Sequence, residues 1–153
     1  EAVIEWLAKN VPETNGAALI HNDYKFDNVM LDPADLTKIV AVLDWELAAL
    51  GPRETDLGWT LFLHRFFMEV AEMMEIDPGI HFPDRDATIA HYESTTGTTL
   101  RDLTWYEALA GYRFAAIITR TDARTIASGE TQPADNPEDT IHPLPLLKKI
   151  TGI

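Results

Sequence analysis

His21-Asn22-Asp23-Tyr24-Lys25-Phe26-Asp27-Asn28, followed by the apolar segments Val29-Met30-Leu31 and Ile39-Val40-Ala41-Val42-Leu43 and then by Asp44-Trp45-Glu46, is the stretch on which the fold turns. The two apolar segments are β-prone, and Asp32-Pro33-Ala34-Asp35 between them has the composition of a turn. They read as a β-hairpin whose seven-residue connection leaves the register open. In an antiparallel pair, the residue before the first strand and the residue after the second fall at one end, on strands ~5 Å apart. The chain therefore brings the amide of Asn28 and the carboxylate of Asp44 to one spot. A few hard oxygen ligands suit Mg²⁺, which keeps several waters and takes its remaining ligands from phosphates. Asp23, in the same loop as Asn28, can sit beside such a metal, orient a hydroxyl and accept its proton. Lys25 can neutralise charge on a phosphoryl group in transfer, or be an ordinary solvated lysine.

A loop Asp for the acceptor hydroxyl, with a loop Asn and a second Asp for metal, is the division of labour of kinase phosphoryl transfer. His-x-Asp-x-x-x-x-Asn, a short hairpin and a strand ending in Asp-Trp-Glu resemble the aminoglycoside phosphotransferase/choline kinase branch of the protein-kinase-like fold. More narrowly, Leu43–Gly51 and Thr55-Asp56-Leu57-Gly58 resemble the phosphotransferases associated with acyl-CoA dehydrogenases. The resemblance is carried by residues 19–60. It implies Asp23 as catalytic aspartate, Asn28 and Asp44 as Mg²⁺ ligands, His21 as a structural support and Asp56 as a brace for the loop. ATP is the implied co-substrate and an alcohol the implied acceptor, whether an aminoglycoside, an amino-alcohol or a hydroxyacyl-CoA. Glu46 is a candidate contact for a cationic substrate or an exposed structural residue. The sequence departs from the family at Asn22, where many members have Gly, and at Lys25, which matches protein kinases better.

The eight glycines lie too far apart for G-x-G-x-x-G or a Walker loop, so residues 1–153 contain no phosphate cradle. The expectation is a single domain corresponding to the C-terminal lobe alone, without the N-terminal nucleotide lobe and inactive by itself. Apolar surface around residues 17–31 would then be exposed and favour self-association. Two rival readings are a non-catalytic kinase-like binding module and a metal-dependent hydrolase. Intact Asp23, Asn28 and Asp44 weigh against the first, and convergence of only two ligands against the second.

Beyond the hairpin the chain turns helical. Helices are expected over 1–9, from about 57 to 75 with Thr55 or Asp56 as cap, from about 86 to Gly97, over 104–127, and over 144–150. Thr104-Trp105-Tyr106-Glu107 fits a capping box with Leu103 as its staple. Trp59, Phe62, Phe66 and Phe67 are spaced as core. Residues 129–145 read as a mobile acidic loop. The fold class is α+β with helix dominant. His64, His81, His91 and His142 lack metal-ligand spacing and read as surface or core histidines.

A net charge of −13 argues against nucleic acid, and no apolar run approaches the ~20 residues of a membrane span. With no cysteine there are no disulfides. A cytoplasmic location is expected.

Overall fold

The structure, a computed structural model, describes residues 1–13, 16–79 and 82–153. It is α+β with helix dominant: two small antiparallel sheets lie against five α-helices. The helices are α1 (Ala2–Lys9), α2 (Glu54–Met73), α3 (Arg85–Thr96), α4 (Thr104–Ala127) and α5 (Leu144–Thr151). The strands are β1 (Ala18–Ile20), β2 (Val29–Asp32), β3 (Asp35–Val42) and β4 (Ala49–Gly51).

β2 and β3 form the expected hairpin, with a tighter connection than the seven residues read from sequence. Only Pro33 and Ala34 separate the strands, and Asp32 pairs with Asp35. The Asp32 carboxylate accepts from the Ala34 N–H at 2.9 Å, an Asx turn that closes the tip. The surplus residues of β3 are absorbed by register shifts between Met30 and Leu31 and between Leu31 and Asp32. The shifts stay near the tip, and the pairing Val29↔Val42 at the open end is regular. Strand β4 was not anticipated. Its three residues follow a 3₁₀ turn and pair with β1, Leu19 opposite Leu50. This second ribbon pins together the two ends of the segment that carries His21, Asp23, Asn28 and Asp44.

The core forms where α2 crosses α4, with α1, α5 and α3 packed around that pair. Trp59, Phe62 and Phe66 are buried there, and Phe62 loses all its accessible surface, a burial of about 1.5–3 kcal/mol. Phe67 departs from the expectation: it is 52% exposed, because it lies on the outer side of α2 while Phe66 and, a turn on, Val70 pack on the core. The acidic segment after α4 is not uniformly loop. It contains a 3₁₀ turn at Pro137–Thr140, and Pro143 beyond it is fully buried.

Gly58 sets the separation of α2 and α4. A Cβ there would lie 2.6 Å from the Tyr106 Cβ and 2.8 Å from its carbonyl carbon. Neither atom can rotate away. Gly58→Ala gains about 1 kcal/mol of helix propensity but forces the helices apart, which costs about 1–3 kcal/mol. The expected outcome is a net loss of stability and a lower Tm by calorimetry, against the gain that an open helical site would show.

Two expected helix starts are replaced. Helix α2 begins at Glu54, so Asp56 and Thr55 lie inside its first turn and neither is the cap. The capping box at Thr104 does not form. Asp102 accepts from the Thr104 N–H at 3.0 Å, while Glu107 is buried and accepts from Arg85 Nε at 2.6 Å. Burial pushes the Glu107 carboxyl up, and the Arg85 guanidinium opposes it. Arg85 opens α3, so this pair ties α3 to α4 rather than capping either.

His64 lies one turn from the core, its ring stacked 3.7 Å from Phe82. Its Nδ1 is buried and has no partner among the described residues, and burial pulls the imidazole below its usual 6.5. A histidine held neutral by the fold contributes stability that is complete above about pH 6.5 and is lost as pH falls from there through the folded value. His64→Phe keeps the stack and removes the proton. Urea unfolding at pH 7 and pH 5.5 should show a smaller acid loss for the variant than for wild type; equal losses would exclude His64 as a source. His81 lies outside the described residues.

Candidate functional site

The segment His21–Asn28 runs alongside the first half of α2 and is fastened to it at four-residue intervals on one helix face. The Asp56 carboxylate accepts from the backbone N–H groups of His21 and Asn22, both at 2.7 Å. One turn on, the Thr60 hydroxyl donates to the Tyr24 carbonyl at 3.1 Å. One turn further, the His64 ring stacks with Phe26 at 6.0 Å. From Asn22 to Phe26 the loop advances two residues for each four-residue step of the helix, a rise of ~6 Å.

Asn22 adopts the left-handed region with φ 66°. Its three polar groups are all engaged: the N–H with Asp56, the side-chain amide donating to the Leu47 carbonyl at 2.9 Å, and the carbonyl accepting from Arg113 at 2.9 Å. Arg113, from α4, stacks over Trp59 at 4.9 Å. A conformation natural to glycine is thus kept by the residue type that tolerates it best after glycine. Neither Thr60 nor Arg113 is singled out by the sequence, and Trp59 reads there only as core; Thr60 alone carries a signal, the spacing of four from Asp56.

His21 is 2% exposed and joins the two halves of the site. Its Nε2 contacts the Leu43 carbonyl at 2.7 Å and its Nδ1 the Asp23 N–H at 3.2 Å. Those partners fit the tautomer with the proton on Nε2, donating to Leu43. Trp45 covers the ring at a centroid distance of 4.7 Å. Leu43 precedes Asp44, so one imidazole sets the spacing between the Asp23 loop and the end of β3.

Asn28 ends a 3₁₀ turn from Phe26 and is 7% exposed. Its carbonyl accepts from the Leu43 N–H at 2.8 Å, which brings the Asn28 and Asp44 backbones to the same end of the hairpin. Its amide donates to the Asp23 carbonyl at 2.8 Å and to Asp23 Oδ2 at 3.1 Å. With the NH₂ group turned to Asp23, Oδ1 points the other way and has no partner among the described residues. Lys25 Nζ pairs with Asp23 Oδ2 at 3.1 Å. Both contacts fall on one oxygen of Asp23, and among the described residues Oδ1 has no partner.

Asp44 also lies in the left-handed region, φ 65°, at the start of the Trp45–Leu47 turn. Its carboxylate has no hydrogen bond or ion pair among the described residues. Neither has Glu46, exposed in the same turn. No group of three or more His, Asp, Glu or Cys gathers as a metal cage among the described residues. The donor set at the hairpin mouth is one amide oxygen and one carboxylate, which fits a divalent ion completed by waters and phosphates.

Residues 1–88 match the family described as phosphotransferase enzyme family. Similar curated proteins include acyl-CoA dehydrogenase family member 11 of Gallus gallus, 30% identical over 78% of this chain and 16% of that protein. The Mus musculus protein of the same name is 36% identical over 52% of this chain and 10% of its own length. Among solved structures, a protein from Ralstonia eutropha JMP134, assigned provisionally to the aminoglycoside phosphotransferases, superposes with a TM-score of 0.67 at 24% identity. That match covers 98% of this chain and 46% of the other, and shows a shared fold. The chain spans a small part of the curated relatives it matches and under half of the solved neighbour. Its matched stretch includes the whole loop, the hairpin and the turn that supply Asp23, Asn28 and Asp44, and on that match the chain belongs to the phosphotransferase enzyme family.

Proposed function

We propose that this chain is the C-terminal, acceptor-side lobe of an ATP- and Mg²⁺-dependent kinase that phosphorylates an alcohol. The observation that carries the reading is the division of Asp23: Oδ2 is held by Lys25 and Asn28, while Oδ1 remains free. An oxygen so presented can accept the proton of an acceptor hydroxyl as its oxygen bonds to the γ-phosphorus. The bond from that phosphorus to the β–γ bridging oxygen breaks, its electron pair leaves with ADP, and the proton remains with Asp23 until solvent takes it. Asn28 Oδ1 and the Asp44 carboxylate are the groups that would hold Mg²⁺, which supplies charge neutralisation on the phosphates when bound. Lys25, already beside Asp23, adds positive charge where the phosphoryl group passes. His21, Asp56 and Thr60 hold the loop and touch no reacting atom. A cytoplasmic location fits the cysteine-free composition.

The acceptor's identity is a finer question. Aminoglycosides and amino-alcohols suit the net charge of −13, and hydroxyacyl-CoA suits the acyl-CoA dehydrogenase relatives. The test joins the chain to a glycine-rich nucleotide lobe and titrates Mg·ATP calorimetrically, then assays alcohols for phosphorylation. Saturable binding with turnover is expected; binding without turnover on any alcohol would favour a kinase-like binding module.

The nucleotide lobe would sit on an apolar face. Leu19 (65% exposed) and Leu50 (79%) project from one ribbon, and Leu36 (70%) from the other. Left uncovered, this face favours self-association of the isolated chain. Sedimentation velocity should show mass growing with concentration, and a strict monomer at high concentration would count against it.

A further inference from the structure

A cavity of about 920 Å³ opens between the last turns of α2, the 3₁₀ turn at 137–140 and the start of α5. It is within the ~300–1,000 Å³ range of small-molecule sites. It is separate from the hairpin mouth. Asp56, Thr60 and His64 face the loop, whereas Phe66, Val70 and Met73 line the cavity about 110° around α2 by helical geometry. Ile118 from α4 and Leu144 from α5 complete an apolar wall.

The rim is charged, and one of its carboxylates lacks a cation. Glu69 pairs with Arg65 at 3.3 Å and with Lys149 at 3.2 Å, and Glu138 meets Lys148 at 3.6 Å. Asp139 has no cationic partner among the described residues; it only accepts from the Asn136 amide at 2.9 Å. Glu69 and Glu138 are thus matched by Arg65, Lys149 and Lys148, and Asp139 is the carboxylate of the lining left without a cation. An anionic head would have to separate Lys148 from Glu138 and would then face the unpaired carboxylate of Asp139. A cationic head meets Asp139 with nothing displaced. Methionines at the opening, Met73 and Met74, are 76% and 58% exposed and can fold onto bodies of varied shape.

We propose that this cavity binds an amphipathic cation, its hydrocarbon body against Val70, Met73 and Ile118 and its ammonium at Asp139. The site is independent of phosphoryl transfer.

Methionine-methyl NMR on the intact chain tests it with octyltrimethylammonium as probe, since only four methionines contribute signals. Met73 and Met74 are expected to shift saturably, while Met30, on the exposed hairpin, stays still. Octanoate and tetramethylammonium, which each lack one half of the recognition, should bind at least about tenfold more weakly. Asp139→Asn, on the surface and safe for folding, should weaken the octyl cation about three- to fivefold, the scale of one exposed ion pair. Octanoate binding as tightly as the cation, indifference to Asp139→Asn, or shifts centred on Met30 would each overturn the proposal.

Discussion

Asp44→Asn should lower turnover of the two-lobed enzyme by at least about 100-fold, since even residues that merely support a metal ligand cost ~10–100-fold when replaced. The choice of Asn matters because of the backbone. Asp44 sits at φ 65°, and most side chains would add about 1–2 kcal/mol of left-handed strain there. Alanine would therefore mix a folding cost with a chemical one. Asparagine tolerates this region, keeps the shape and removes only the charge. No protein group leans on the Asp44 carboxylate among the described residues, so Tm should move little. Turnover measured against Mg²⁺ should show a raised metal requirement with partial recovery at high concentration. Wild-type turnover at an unchanged Mg²⁺ requirement would remove Asp44 from the metal and leave Asn28 alone, too little for a site.

The parts of this fold that could be read from the chain are those whose partners are close in sequence. Val29–Leu31 and Ile39–Leu43 are each other's neighbours, so their apolar runs and the turn residues between them sufficed for the hairpin. The loop spacing from His21 to Asn28 is likewise local. The failures share the opposite cause. Glu107 satisfies the capping-box pattern, yet Arg85, 22 positions earlier, is in reach once α3 folds back, and a buried ion pair outweighs a surface cap. Asp56 fails only as a cap; it braces the loop as the resemblance implies, because residues 21 and 22 present two N–H groups that need an acceptor. Strand β4 is three residues long and has no pattern of its own; β1, some 30 residues earlier, creates it. Arg113 was invisible for the same reason, since its carbonyl partner at Asn22 is 91 positions away.

Asp23→Asn tests the other half of the site, and the hydrogen bonds determine which way the new amide must point. Lys25 Nζ and Asn28 Nδ2 are both donors, and both meet the Oδ2 position. The amide oxygen of an Asn must occupy that place, because an NH₂ group there would oppose two donors. Its NH₂ then takes the position of Oδ1, where a hydroxyl proton needs an acceptor. The substitution thus inverts the polarity of the one atom that faces the acceptor and leaves the supporting contacts intact. The Asn28 amide also keeps its 2.8 Å bond to the Asp23 carbonyl, which the change does not touch. The expected result is a fall in kcat of about 10²–10⁴, the range for loss of a positioned general base, with affinity for Mg·ATP unchanged. Asp44→Asn should behave differently by raising the Mg²⁺ requirement, so the two variants separate proton transfer from metal binding. If Asp23→Asn instead abolished nucleotide binding and spared kcat at saturation, Asp23 would belong to the metal and the acceptor oxygen would have to be sought elsewhere.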